Sequence, residues 1–109
     1  MAYDEALAQR IRDLLAGEPG VTEKAMFGGL AFLVDGRMAV AATGDQGVMI
    51  HVEEAMAREL CAREGIAPME MRGRPMREWV RSEDVGADDH LLEEMVWMGV
   101  GWARAQPPR

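Results

Sequence analysis

The chain is poor in the residues that build cross-links and metal sites. It has a single cysteine, Cys61, so no disulfide forms within it, which is typical of proteins in a reducing cytosol. Its two histidines, His51 and His90, lie far apart in the sequence. Together with Cys61 they lack the spacing of about two to five residues that builds a closed zinc site. We therefore expect no metal and no cofactor.

Positive charge and long apolar runs are also scarce. Lys24 is the only lysine, and the formal net charge is −7. A freestanding polyanion-binding domain needs a basic surface, so this balance disfavours nucleic acid as the main partner. No apolar run approaches the roughly 18–20 residues needed to span a bilayer, and the N-terminus lacks the apolar segment of a signal peptide. These absences predict a soluble, cytoplasmic protein with no membrane partner.

The 109 residues are 49% hydrophobic, which is enough for one packed domain and too few residues for two. We expect this domain to cover residues 1–105. Residues 106–109 are expected to form a frayed tail, because Pro107 and Pro108 stop a helix.

Apolar residues at helical spacing predict three helices. The predicted ranges are Asp4–Ala16, Glu53–Arg63 and a helix that begins after the N-cap Asp88 and reaches about Ala105. In the second helix the predicted buried stripe is Met56, Ala57, Leu60 and Cys61. In the third, Gly99 and Gly101 each cost about 1 kcal/mol relative to alanine, which suggests close backbone packing there.

A β-hairpin is predicted at Asp35-Gly36, since both residues can take the positive φ of a type I′ turn. Its strands are Leu30–Val34 and Arg37–Ala42. A two-residue loop pairs Leu33 with Met38 and Ala31 with Val40 on one face. The other face then carries Leu30, Phe32, Val34 and Ala39. Both faces are apolar, so we expect helices on one face and a further cover, such as a second copy of the chain, on the face with Leu30, Phe32 and Val34.

Further extended segments follow. They are Val48–Val52, Met69–Met71 after Pro68, and Met76–Arg81 after the turn Gly73-Arg74-Pro75. The predicted order is α-β-β-β-α-β-β-α, which indicates an α+β fold with an antiparallel sheet packed against helices.

Several of these segments together resemble the TfoX/Sxy N-terminal domain family. The motifs that carry the resemblance are Met26-Phe27-Gly28-Gly29 with the hairpin at Asp35-Gly36, Gly73-Arg74-Pro75-Met76 with Trp79, and a last helix with Trp97, Gly99 and Trp102. The resemblance covers almost the whole chain. It implies a secretion-chaperone-like α+β arrangement and a bacterial protein related to regulators of natural competence. The best-known members carry a second, C-terminal domain, and this chain ends where that domain would begin.

The segment Gly28-Gly29 invites a phosphate-binding interpretation. A phosphate loop must open a helix, whose N-terminal amides hold the anion, and here a strand follows. The expected role is a bulge or a close backbone approach under the first helix.

Four arginines form the one basic cluster, with a tryptophan among them: Arg72, Arg74, Arg77 and Arg81, with Trp79. One interpretation is a contact for nucleic acid or an acidic partner, through guanidinium hydrogen bonds and aromatic stacking. The preferred alternative is a solvated edge hairpin whose charges oppose strand-to-strand aggregation.

The last helix places Trp97 and Val100 away from its main apolar stripe. A tryptophan in that position is typical of an interface anchor, although the strands or the tail would also cover it. His51 and His90 are expected at the surface, and Cys61 in the core.

Taken together, the residues predict a non-enzymatic regulatory or protein-interaction module, expected to be a homodimer. One alternative is a nucleic-acid-associated transcriptional regulator that uses the Arg72–Arg81 hairpin. A small-molecule enzyme is the least supported alternative, because no paired acid–base constellation is visible.

Overall fold

The computed structural model describes residues 3–26, 28–44, 47–83, 85 and 88–107, without the side chain of Met71. This part of the chain has an α+β fold with one six-stranded antiparallel sheet. The helices are α1 (Glu5–Leu14), α2 (Glu54–Cys61) and α3 (Asp89–Ala105). The strands are β1 (Val21–Met26), β2 (Gly29–Val34), β3 (Arg37–Ala42), β4 (Val48–His51), β5 (Ala67–Met71) and β6 (Arg74–Ser82). The predicted order is confirmed, with β1 as one further strand before the hairpin.

The additional strand β1 is an edge strand that pairs with β2 along its whole length. Its central residues Thr22, Glu23 and Lys24 are exposed, so the strand has no apolar alternation that a period-two search would detect. Charged residues of this kind protect an open sheet edge from pairing with other chains. Arg12 of α1 donates hydrogen bonds of 2.6 and 2.8 Å to the Glu23 carboxylate, which fastens the edge strand to the helix.

The strands lie in the order β1-β2-β3-β4-β6-β5, and all neighbours are antiparallel. The other edge of the sheet is β5, which begins at Ala67 and includes Pro68. A proline lacks the N–H that a central strand needs and is tolerated in an edge strand. The register between β5 and β6 shifts from Pro68–Val80 to Met69–Met76, so residues 77–79 of β6 have no partner in β5.

Local sequence explains where two of the helices begin. The Asp4 carboxylate accepts hydrogen bonds from the backbone N–H groups of Ala6 and Leu7, and the predicted cap Asp88 accepts one from Leu91 at 3.1 Å. Each bond satisfies a donor that the first helical turn leaves without a partner.

The predicted hairpin turn is confirmed. Asp35 has φ of 52° and Gly36 has φ of 84°, the positive values that a type I′ turn requires. Leu33 pairs with Met38 as expected. The predicted pairing of Ala31 with Val40 is wrong, because Ala31 pairs with Ala41.

The change in register comes from a β-bulge in β3. Phe32 pairs with Val40 and Leu33 with Met38, so Ala39 is an extra residue without a partner in β2. A bulge shifts every later residue of the strand by one position relative to its neighbour. As a result Ala39 and Val40 are both buried in the main core.

The main core lies between the helices and one face of the sheet. The buried hydrophobic residues of all three helices belong to this cluster. So do Leu30, Phe32 and Val34, which makes the expectation that this face needs a further cover wrong. The helices cover it because β2 directs the larger apolar side chains to that side.

The described residues that follow α3 are held to the domain by hydrogen bonds. Arg37 donates a hydrogen bond to the Pro107 carbonyl, and Gln106 donates one of 3.0 Å to the Trp102 carbonyl. Pro108 and Arg109 lie outside the described residues, so the frayed tail stays a prediction.

Within the described ranges, every helix is too short or too polar to cross a membrane.

Candidate interaction surfaces

The face of the sheet opposite the main core carries a second apolar cluster. Its centre is Ala31, Ala41 and Met49, all buried. Partly buried hydrophobic residues surround this centre: Met26, Leu33, Met38, Met69 and Trp79. We call these eight residues the outer-face cluster. None of them comes from a helix, so among the described elements this face is formed by strands alone.

The strand register shows how the outer-face cluster is organised. One cross-strand row runs Lys24, Ala31, Ala41, Met49 and Arg81, from β1 to β6. Directly opposite residues lie on the same face of a sheet. The row therefore has an apolar centre on β2, β3 and β4 and a cation on each side. An antiparallel sheet with one solvated face usually has polar residues at such central positions.

The four arginines of the predicted basic cluster differ in their exposure and in their ion pairs. Arg72 and Arg74 lie at the β5–β6 turn and are exposed, and no carboxylate of a described residue forms an ion pair with either. Arg77 has a 79% exposed side chain, with Nη1 4.0 Å from Glu54 Oε1. Arg81 is only 27% exposed, on the outer face of the sheet, and donates a 2.8 Å hydrogen bond to Glu83. The four guanidinium groups do not form one continuous surface.

The aromatic member of that cluster, Trp79, is half-buried. It stacks on His51, with ring centroids 4.3 Å apart, and the other side of the imidazole stacks on Trp102 at 3.4 Å. His51 Nε2 lies 3.3 Å from Glu78 Oε1. His51 is thus held between two indoles with a side chain 18% exposed, and the expectation that it is a surface residue was wrong. Burial lowers its pKa below the ordinary value, although Glu78 opposes this change.

Trp97 and Val100, the two residues of α3 predicted to form an interface anchor, differ in their exposure to solvent. Trp97 is exposed, at 37%, as expected. Val100 is 4% exposed and belongs to the main core, so its assignment to an interaction surface was wrong. The apolar stripe of α3 is wide enough to include Val100, because the helix packs on β3 and β4 and also against α1.

A shallow groove of about 280 Å³ lies between α2 and α3. Met56 lines it and is 41% exposed, whereas the sequence predicted Met56 in the buried stripe of α2. Gly101 also lines the groove, and a Cβ at this position would meet nothing within 4 Å. A Cβ at Gly99 would lie against the Ala39 backbone, 3.1 Å from the carbonyl carbon. Close packing is thus confirmed at Gly99 and was a wrong prediction at Gly101.

The Gly28-Gly29 segment makes a close backbone approach, but not under the first helix. Gly28 has φ of 71°, and a Cβ at Gly29 would lie 3.2 Å from the Ala42 carbonyl carbon in the neighbouring strand. Gly29 begins β2, so the strand that argued against a phosphate loop is present. Phe27, the second residue of the motif, lies outside the described residues.

The remaining candidate ligands and nucleophiles do not converge. Over the described residues, no three His, Cys, Asp or Glu side chains come together in a way that holds a metal ion. Cys61 is half-buried, and burial raises the pKa of its thiol. It packs against the main core, as predicted, and its partly exposed side also lines a second groove, between α2 and the β5–β6 hairpin. The described contacts of the His51 ring are with Glu78, Trp79 and Trp102.

Sequence reasoning missed the two arrangements that define these surfaces. The row of outward-facing residues depends on the β3 bulge, which has no signal in an alanine-rich strand. The His51 stack joins three segments that are distant in sequence. The available signal was the apolar character of both strand faces, which did indicate a second surface.

Comparison with known proteins gives one match. The family model described as TfoX N-terminal domain matches residues 13–101. The match begins within α1 and ends within α3, and it includes all six strands and α2. No curated protein and no solved structure showed a significant match to the sequence.

Proposed function

The chain belongs to the TfoX N-terminal domain family, and we propose that it is a non-enzymatic regulatory module that acts by binding protein. The family suggests a module similar to competence regulators. The observation that carries the proposal is the outer-face cluster. Its three central positions, Ala31, Ala41 and Met49, are apolar and buried, although among the described residues this face is formed by strands alone.

The apolar character of this face is unusual for a solvated surface. On β2 and β3 the outward residues Leu33 and Met38 face each other across the strands and remain partly exposed. Covering such residues stabilises a complex by roughly 25 cal/mol for each Å² of apolar surface removed from water. A contiguous apolar patch with a polar rim is typical of a protein interaction site.

We propose a second copy of the chain as the partner. A two-fold interface needs a surface that is complementary to itself. Here the partly exposed side chains of Leu33 and Met38 lie beside the buried centre of Ala31, Ala41 and Met49. In a two-fold pair the partly exposed side chains of one copy would pack against those of the other and remove them from water.

The charges at the rim are compatible with this association. Arg81 is paired with Glu83 at 2.8 Å, which reduces repulsion between the two copies at that side. Lys24 lies at the other end of the row, in an edge strand whose central residues are exposed.

Sedimentation velocity over a wide range of protein concentrations tests the dimer. We expect a concentration-dependent dimer, and Met38→Glu should weaken it by roughly a hundredfold because a carboxylate would be buried without a partner. Trp97→Ala is the matched control: it removes an exposed apolar side chain from α3, away from the outer face. A chain that stays monomeric at every concentration would contradict the proposal. Dissociation caused by Trp97→Ala and not by Met38→Glu would transfer the interface to α3.

A second candidate function is a nucleic-acid-associated regulator that uses Arg72 and Arg74. Their exposure and lack of a described carboxylate partner favour it. The stacking of Trp79 on His51 disfavours it, because one face of that indole is already covered by the imidazole. Fluorescence anisotropy with labelled DNA at low salt tests this candidate, with Arg74→Ala as the variant and Arg63→Ala as the control. Binding that is absent at low salt would remove it.

A further inference from the structure

The groove between α2 and the β5–β6 hairpin has the dimensions of a small-molecule site. Its volume is about 380 Å³, within the range of roughly 300–1,000 Å³ that is usual for ligand pockets. Ala57 and Cys61 of α2 form one wall, and Met76 and Trp79 of β6 line the opposite side. The groove does not include the central residues of the outer-face cluster.

Apart from its charged residues, this groove is lined by apolar side chains, and part of its backbone lacks a hydrogen-bond donor. Two of the lining residues, Pro68 and Pro75, lack a backbone N–H. An extended peptide that added a strand here would lose these hydrogen bonds, so strand addition is disfavoured. The raised pKa of the half-buried Cys61 thiol is also consistent with a poorly solvated wall.

The rim of the groove has the opposite charge to the chain as a whole. Three charged residues line it, and two of them, Arg58 and Arg77, are cationic in a chain of net charge −7. Both share one carboxylate: Glu54 Oε1 lies 3.6 Å from Arg58 Nη1 and 4.0 Å from Arg77 Nη1. Among the described residues that line the groove, the two cations thus exceed the carboxylates by one charge.

Within the described part of the chain, no carboxylate accepts a hydrogen bond from either of these arginines. At 3.6 and 4.0 Å neither guanidinium is hydrogen-bonded to Glu54. By comparison, Arg12 and Arg63 donate to carboxylates at 2.6 and 3.0 Å. The groove thus combines an apolar floor with guanidinium donors that point to no acceptor among the described residues.

We propose that this groove binds a small organic carboxylate with an apolar body, such as a medium-chain fatty acid or an aryl-alkanoic acid. The carboxylate replaces Glu54 as the hydrogen-bonded partner of Arg58 and Arg77, since charge-assisted bonds to a guanidinium are among the strongest. The hydrocarbon body lies between α2 and β6, against Cys61, Met76 and Trp79.

Octanoate is a suitable test ligand for the full chain, measured by isothermal titration calorimetry. We expect saturable binding, and Arg77→Gln or Arg58→Gln should each weaken it about tenfold, as expected for the loss of one hydrogen bond to a charged group. Arg63→Gln is the matched control, because Arg63 is hydrogen-bonded to Glu94 and does not line the groove.

Two further ligands separate the charge from the hydrocarbon. Octylammonium has a comparable body and the opposite charge, and acetate has the charge without the body, so both should bind at least tenfold more weakly. In NMR spectra of the chain with octanoate, the Trp79 indole N–H and the Met76 methyl group should shift. Binding should persist in Met38→Glu, which separates the groove from any self-association.

The proposal is overturned if octanoate does not bind, or if octylammonium binds equally well. It is also overturned if Arg63→Gln weakens binding as much as Arg77→Gln does, or if the shifts occur at Met98 and Gly101 in the α2–α3 groove. None of these results affects the test of the dimer, which relies on Met38 and Trp97.

Discussion

Two glycines of α3 make a controlled test of the packing between the helix and the sheet. Gly99 and Gly101 are two residues apart in the same helix, and replacement of either by alanine brings the same intrinsic gain of about 1 kcal/mol. Their surroundings differ. A Cβ at Gly101 meets nothing within 4 Å, whereas a Cβ at Gly99 overlaps the Ala39 carbonyl and lies 3.4 Å from Ile50 Cβ. The two substitutions should therefore change stability in opposite directions.

The magnitudes follow from these contacts. Gly101→Ala should keep the full gain and raise the free energy of unfolding by about 1 kcal/mol. At Gly99 the obstacle is backbone, which cannot rotate away, so we assign the upper end of the overpacking cost, about 3 kcal/mol. The net effect of Gly99→Ala is then a loss of about 2 kcal/mol. For a domain of this size each kcal/mol corresponds to roughly 4 °C in Tm.

Urea denaturation followed by far-UV circular dichroism measures both variants against the parent chain. All three samples need the same protein concentration, because self-association would make the stability depend on it. The m-values should agree, which shows that the variants differ in stability and not in the surface exposed on unfolding. A Gly99→Ala variant as stable as the parent would refute the close approach of α3 to the β3 bulge. A destabilised Gly101→Ala variant would show that the helix is covered where the structure leaves it open.

Three further predictions concern the pH response, a helix cap and a strand contact. Burial holds the pKa of His51 in the folded chain below its ordinary value of 6.5. As the pH falls, this imidazole is therefore protonated in the unfolded chain before it is protonated in the folded chain. The free energy of unfolding should then fall as the pH decreases from about 6.5 towards the lowered pKa, and urea titrations of His51→Gln should lack this slope. Asp88→Ala should lower the free energy of unfolding by about 1 kcal/mol, because the Leu91 N–H loses its acceptor, and Asp88→Ser should restore most of it. Gly29→Ala should lower the free energy of unfolding by about 2 kcal/mol, because its Cβ would overlap the Ala42 carbonyl. Thermal denaturation should show this as a lower Tm, and an unchanged Tm would contradict the tight β2–β3 contact.

Much of the fold follows from local chemistry that is visible in the sequence. Asp35-Gly36 is one of the few dipeptides that take two positive φ values easily, so the turn was predictable. Asp88 marks the start of α3 because its carboxylate caps the first turn. The α+β class follows from the alternation of the two hydrophobic periods, and the family follows from motifs spread over almost the whole chain.

The candidate surfaces were only partly predictable. The apolar character of both sheet faces correctly indicated a second surface, yet the side that the helices cover was assigned wrongly. Trp97 is exposed as its helical position predicts, but Val100 is not, because a helix packed against both sheet and helix buries a wide sector. The groove at Cys61 lies between α2 and a hairpin in which residues 77–79 have no partner in β5, and no local pattern indicates this change of register.

The sequence by itself determined every element except β1, their order and the turn at Asp35-Gly36, because these depend on interactions between residues close in the chain. Only the tertiary structure decided which side chains share a surface. The unpaired Ala39 changes the partner of Ala31 from Val40 to Ala41 and brings the β3 backbone against Gly99. A single extra residue in a strand makes the side chains that follow point to the opposite face of the sheet from the one otherwise expected. Alanine has a side chain small enough to fit on either face. The outer-face cluster and the stack around His51 depend on such contacts between distant segments, which no local pattern specifies.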